Sequence, residues 1–180
     1  FNNQVKNIQQ EKFMFNSRLK RNIITSNKHV KSWLQEYDSA QEKGNIFHLI
    51  MSEIYSLKDV SLVLNKYYEL GEISTNKKQK LKELIYKITN NEELKEFYNP
   101  KYKSFNEREI IEKNGKSFIP DRIVFLNDKD IVLIDYKTGT KKSKYINQLK
   151  GYENKLYEIG LNTIKKIIIY VSDDIKIECF

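Results

Sequence analysis

Apolar positions in the first half of the chain recur at spacings of three and four. Ile46, Phe47, Ile50, Met51 and Ile54 predict a helix over Gly44–Tyr55. Val60, Val63, Leu64, Tyr67 and Tyr68 predict a second helix, opened by a capping box of Ser56 and Asp59 and ending at Gly71. Ser74 is placed to cap a third helix that runs through Ile88, with Leu81, Leu84, Ile85 and Ile88 facing inward. Glu92–Tyr98 reads as a short fourth helix, closed by Asn99-Pro100. The outer faces of these helices are polar and carry no catalytic pattern. They read as scaffold, or as a contact surface for a neighbouring domain.

Beyond Ser104 the pattern changes to short apolar blocks. Ser104–Glu112 reads as a strand, and Asn114-Gly115 as a tight turn into a strand over Lys116–Leu126. Two apolar runs, Ile119–Leu126 and Ile131–Tyr136, flank Asn127-Asp128-Lys129-Asp130 and predict a β-hairpin. Side chains alternate along a strand, so Ile131, Leu133, Asp135 and Lys137 share one face and Val132, Ile134 and Tyr136 the other. Both faces are largely apolar, which predicts a central, buried strand. Tyr145–Ile159 reads as a helix with Leu149, Tyr152, Leu156 and Ile159 on its buried stripe, ended by Gly160. Ile164–Val171 and Ile175–Phe180 are the last strands, with Cys179 read as a packing residue of the final one. Phe1 to Gln41 has the weakest pattern. Val30, Trp33 and Leu34 predict a short helix near Lys28–Tyr37 in an otherwise irregular arm. That arm either wraps the core or touches a partner domain, or is a partly ordered terminus.

Charge alters this picture in one place. Asp121 opens the first strand of the hairpin, and Asp135 and Lys137 close the second. Charge on a buried strand is costly unless paired or bound to a cation. Asp121 and Asp135 can converge on one ion only if they point to the same face. A regular two- or four-residue turn would put them on opposite faces, so a three- or five-residue connection, or a bulge, is expected.

The 180 residues make a single domain the default, and the net charge of +8 favours a polyanionic partner such as nucleic acid. The single Cys179 excludes a disulfide framework within the chain. No apolar run of about 18 residues exists, so no transmembrane helix or membrane partner is expected. The start, Phe1 to Gln10, is polar and shows no signal peptide, which makes a cytoplasmic location the expectation. The first residue is not Met, so a fragment of a larger protein is expected. No GxxxxGK[ST] motif occurs, so no ATP site is expected in this chain.

Pro120-Asp121 followed by Asp135-Tyr136-Lys137 resembles the signature of the PD-(D/E)XK nuclease superfamily. Asp135-Tyr136-Lys137-Thr138-Gly139, then Gln148 and Tyr152, resembles its RecB-like branch, where DYKTG precedes a helix bearing QxxxY. Gly44 and His48 match the GxxxH motif of that branch, and Glu107 matches an acidic position that often precedes the first strand. The matches run from Gly44 to Tyr152. The two-residue PD is weak alone, whereas the ordered set of His48, Asp121, Asp135, Lys137, Gln148 and Tyr152 is far more specific. The single cysteine excludes the four-cysteine iron–sulfur cluster of some relatives.

The resemblance implies an α/β fold with a restriction-endonuclease-like core, a mixed β-sheet flanked by helices, and a helical N-terminal half. It implies an arm over residues 1–43 and a nuclease domain over residues 44–180. The activity implied is metal-dependent hydrolysis of DNA phosphodiester bonds, expected to be exonucleolytic and to act in repair or recombination on single-stranded ends. A helicase in the same chain or complex is the implied partner.

Hard oxygen ligands suit Mg²⁺ or Mn²⁺, and Asp121 and Asp135 supply them, with an imidazole from His48 acceptable to Mn²⁺. The resemblance adds the backbone carbonyl of Tyr136 as a further ligand. Lys137 shares the face of Asp135 and can orient the attacking water or stabilise the anionic transition state. Each supporting position also has a plainer reading. His48 can be an ordinary packed histidine, and Glu107 and Glu109 a solvent-facing pair on an edge strand. Tyr152 can be core with Gln148 on the surface. Lys141, Lys142 and Lys144 are either a solvated loop or a phosphate-contacting patch. Two other functions stay open: a non-catalytic domain that keeps the fold and binds DNA or braces a helicase, and a stand-alone restriction-type endonuclease.

Overall fold

A computed structural model describes residues 40–112, 115–139, 141–172 and 174–180. The expected helix near Lys28–Tyr37 and nearly all of the N-terminal arm lie outside the described residues. Among the described residues there are four α-helices: α1 (Ala40–Met51), α2 (Asp59–Glu69), α3 (Thr75–Thr89) and α4 (Ser143–Glu158). The same residues form seven strands: β1 (Lys103–Asn106), β2 (Ile110–Ile111), β3 (Ser117–Phe118), β4 (Arg122–Phe125), β5 (Asp130–Thr138), β6 (Asn162–Val171) and β7 (Ile175–Cys179).

The predicted hairpin is β4–β5, and its register is the one that two convergent acids require. Arg122 pairs with Ile134 and Phe125 with Ile131. Leu126 N–H donates to Asp130 O at 2.9 Å, leaving Asn127, Asp128 and Lys129 as a three-residue connection. Asn127 shapes it, because its side-chain oxygen accepts the N–H groups of Lys129 and Asp130 at 2.9 and 2.8 Å. One step past the last ladder pair, Asp121 therefore lies opposite Asp135.

The main sheet has the order β1-β4-β5-β6-β7, so β5 is central as its composition predicts. β5 and β6 are parallel and joined through α4; the other pairs are antiparallel. The result is a mixed sheet with helices on both faces. Val132, Ile134 and Tyr136 of β5 pack with Phe47, Ile50 and Met51 of α1 and with the apolar stripes of α2 and α3. Ile131 and Leu133 pack on the opposite face with Leu149 and Leu156 of α4. Each buried Leu or Ile contributes about 1.5–3 kcal/mol, so these two layers hold the strand that carries Asp135.

Several expectations are corrected. The strand expected over Ser104–Glu112 is broken: β1 pairs with β4, whereas β2 pairs with β3 in a separate small ribbon. The break is at Glu107, whose φ of 42° cannot continue a pleated strand. Pro120, which has no N–H to donate, ends β3 before β4 begins. Glu107 and Glu109 are thus not a same-face pair on one strand. Tyr68 is exposed and not part of the α2 stripe, and its ring lies under the Lys78 ammonium at 4.6 Å. The fourth helix is a 3₁₀ turn over Lys95–Tyr98. Cys179 is exposed because it sits on the edge strand β7, with its sulfur 3.8 Å from a carboxylate oxygen of Glu93. Among the described residues no helix is long and apolar enough to cross a membrane.

Candidate metal centre

The site gathers where α1 ends, β1 breaks, and β4 and β5 meet. α1 brings His48 in its last turn. The helix can approach because Gly44, one turn earlier, has no side chain. A Cβ there would lie 2.6 Å from Thr138 Oγ1 at the end of β5. The GxxxH spacing thus puts the smallest residue against the strand and the imidazole beside the acids. The His48 ring meets Phe47 and Tyr136 edge to face, at 6.1 and 6.2 Å between centroids.

Asp121 is the hub. Its Oδ2 accepts the N–H of Tyr136 at 2.7 Å and lies 3.5 Å from His48 Nδ1. Its backbone carbonyl accepts the N–H of Glu107 at 2.9 Å. The left-handed φ of Glu107 turns its side chain away from β1; such a conformation costs on the order of 1–3 kcal/mol for a non-glycine residue and concentrates at functional sites. Ligand atoms of His48, Glu107 and Asp121 all lie within 4.8 Å of one another. Asp135 is not in that triplet. It lies next to it, 2 % exposed, and Lys137 Nζ approaches its Oδ2 at 2.7 Å. The ammonium of Lys137 also sits 5.0 Å above the ring of Tyr145.

The protonation states register crowded negative charge. Burial and then the charge of Asp121 push the Asp135 carboxyl up from 3.8 to about 6, against the pull of Lys137 and His48. Burial and then Asp121 likewise raise Glu107. For His48, burial works against the imidazolium, but the bond to Asp121 and the charges of Asp121 and Glu107 outweigh it and raise the pKa. Three carboxylates share this spot with one lysine. Oxygen donors with one imidazole, short of positive charge, fit a hard or borderline divalent cation. His48, Glu107 and Asp121 could hold it directly, with Asp135 next to it.

The remaining predicted residues fall around this centre. The side chain of Tyr136 is buried on the α1 face, its hydroxyl 2.6 Å from that of Tyr98, so only its backbone faces the acids. Gln148 and Tyr152 do meet: Gln148 Nε2 donates to the Tyr152 hydroxyl at 2.9 Å, and that hydroxyl donates to Ile119 O at 3.4 Å. The Tyr152 ring stacks on Phe118 at 5.4 Å. The pair thus braces the Phe118–Pro120 segment that leads to Asp121. Lys141, Lys142 and Lys144 are exposed at the start of α4. Lys141 is ion-paired with Glu178, and Lys144 lies over Tyr145 at 5.5 Å.

Sequence reasoning ranked Glu107 as a supporting residue, yet it stands in the triplet. It also passed over Arg122 and Asn106, both buried behind the site. The available signal was an arginine inside the apolar run Ile119–Leu126. No protein-family model matches the chain, and no curated protein matches it.

Proposed function

We propose that this chain is a RecB-like nuclease domain of the PD-(D/E)XK superfamily that hydrolyses DNA phosphodiester bonds with Mg²⁺ or Mn²⁺. The observation that carries the reading is the β4–β5 register, which sets Asp121 opposite Asp135 with Lys137 on the same face and His48 alongside. A fold alone implies no function; a convergent set of two acids, a lysine and an imidazole has a defined chemistry.

When bound, the cation polarises the phosphate and lowers the pKa of water. The chain's own residues do the rest. His48, Glu107 and Asp121 would hold the ion, with the adjacent Asp135 adding a further anionic oxygen, and the Tyr136 N–H fixes the Asp121 carboxylate in place. His48 must release its proton to offer a ring nitrogen. Lys137, whose ammonium lies 2.7 Å from Asp135 Oδ2, would stabilise the anionic transition state or orient the attacking water. Lys141, Lys142 and Lys144 sit on the rim, where they would bind backbone phosphates without reading sequence. Action on DNA ends beside a helicase belongs to this proposal through the motif resemblance.

The test is Mn²⁺- or Mg²⁺-dependent digestion of end-labelled linear and circular DNA, single- and double-stranded. Loss of label from linear single strands, abolished by EDTA and by Asp121→Ala, is the expected result. Metal-dependent DNA binding without any cleavage would sink the nuclease reading in favour of a domain that only binds or braces.

A further inference from the structure

Arg122 is 1 % exposed, among the largest side chains buried in the molecule. Among the described residues no carboxylate pairs with it. Its guanidinium is held by neutral oxygens from three separate segments. Nη1 donates to Ile54 O at 3.0 Å and to Asn106 Oδ1 at 2.8 Å. Nη2 donates to Tyr55 O at 3.0 Å and to Phe97 O at 2.8 Å. Its flat face lies 4.5 Å from the centroid of Tyr98, whose hydroxyl contacts that of Tyr136. A buried charge without a counter-ion is expensive, so an apolar residue would serve stability better unless the geometry itself matters.

The contacts of Asn106 show what that geometry sets. By giving its side-chain oxygen to Arg122, Asn106 turns its amide N–H₂ toward the end of α1. There it donates to Met51 O, Ser52 O and Ile54 O at 3.3, 3.2 and 3.0 Å. Met51 O also accepts the Ile54 N–H at 3.2 Å and Ile54 O also accepts Arg122 Nη1, so the amide of Asn106 joins the bonds that close the end of this helix. The next residue is Glu107, at the break with φ 42°. The residue before Arg122 is Asp121. One guanidinium is therefore bonded, directly or through Asn106, to the end of the helix that carries His48, to the segment that carries Glu107, and through the chain to Asp121. A planar fork with donors in fixed directions can hold three segments at set distances; a lysine is a point charge and cannot.

We propose that Arg122 is the positioning residue of this site: it touches no substrate, and it sets the separation of His48, Glu107 and Asp121. The consequence for metal rests on the reading of those three as a cation site, whereas the positioning itself can be tested without metal. Arg122→Lys and Arg122→Ala are compared with the parent by calorimetric Mn²⁺ titration and, in metal-free protein, by the ¹⁵N resonances of the His48 ring, which report its contact with Asp121. Ile85→Ala, on the buried face of α3, serves as a variant destabilised by a cavity at a residue that makes none of the Arg122 bonds.

The expected result is that Arg122→Lys binds Mn²⁺ about 10- to 100-fold more weakly, the scale seen when an outer partner of a metal ligand is lost. Its His48 resonances should move, while Ile85→Ala keeps parental affinity and resonances. Low, non-denaturing guanidinium should restore part of the affinity of Arg122→Ala, and urea should not. If the Arg122 variants do not fold, Asn106→Ala, which removes the middle of the relay and keeps the guanidinium, is expected to give the same loss. Parental affinity and unchanged His48 resonances in Arg122→Lys would overturn the proposal, as would equal weakening in Ile85→Ala. A parent protein that binds no Mn²⁺ would instead overturn the cation site, and the metal-free His48 resonances would then decide the role of Arg122 alone.

Discussion

Asp135→Asn should make the metal-free protein more stable while weakening its hold on metal. Burial and the nearby Asp121 raise the Asp135 carboxyl from 3.8 to about 6. Its ionisation therefore costs the folded state roughly two pH units at 1.36 kcal/mol each, or about 3 kcal/mol. The sign follows from proton binding. Between about pH 4 and pH 6 the folded protein holds a proton that the unfolded chain has released, so stability falls as pH rises through that window. Below it the parent and the amide variant should be nearly equal. Above pH 7 the variant should be more stable by up to about 3 kcal/mol, provided the amide imitates the protonated acid. Urea unfolding in EDTA at pH 4.5 and pH 8, followed by circular dichroism, reads the difference directly. Adding Mn²⁺ should narrow or reverse the ranking at pH 8, because the parent, with one more anionic oxygen beside the ion, gains more stability from a ligand bound to the native state. An amide variant that is less stable than the parent at pH 8, or whose advantage is the same at both pH values, would refute the argument that Asp135 holds unfavourable charge awaiting a cation.

The other predictions concern separate parts of the site. Lys137→Ala should retain Mn²⁺ binding by calorimetry but cut DNA about 10²-fold more slowly, the scale for loss of a positioned transition-state donor; near-parental cleavage would return Lys137 to a structural partner of Asp135. Replacing Lys141, Lys142 and Lys144 together by Ala should lower the salt slope of DNA binding by roughly two to three units. The lower figure is expected if Lys141 stays with Glu178. An unchanged slope would mark the three as solvated surface. Gly44→Ala should push α1 from the sheet, at a cost of about 1–3 kcal/mol for overpacking, and weaken Mn²⁺ binding. Adding Thr138→Ala should restore both, since the Thr138 Cβ is 3.7 Å from the new methyl position, an ordinary contact. Thermal melts and calorimetry of the single and double variants check it, and a double variant no better than Gly44→Ala would sink the close-contact explanation.

Much of this architecture is legible in the sequence because it depends on local pattern. The stripes of α2, α3 and α4, the alternation along β5 and its central place follow from which residues avoid water at which period. Ser74 accepts the N–H of Lys77 at 3.3 Å, as its spacing suggests; of the box expected at Ser56 only one half forms, with Asp59 accepting the N–H of Ser56 at 2.7 Å and no side-chain cap at the start of α2. The odd-numbered β4–β5 connection was also accessible, since parity alone relates the faces of Asp121 and Asp135. Other features depend on contacts between residues far apart in the chain. No local pattern says that Glu107 takes φ 42° and leaves β1 to stand with His48 and Asp121. Nor does it say that Gly44 is held free of a side chain by Thr138, or that an arginine within an apolar strand ends among the carbonyls of α1 and the 3₁₀ turn. Burial, hydrogen-bond satisfaction and charge crowding are properties of the assembled neighbourhood. The sequence by itself determined the elements and the candidate acids; only packing decided which acids meet, and what holds them together.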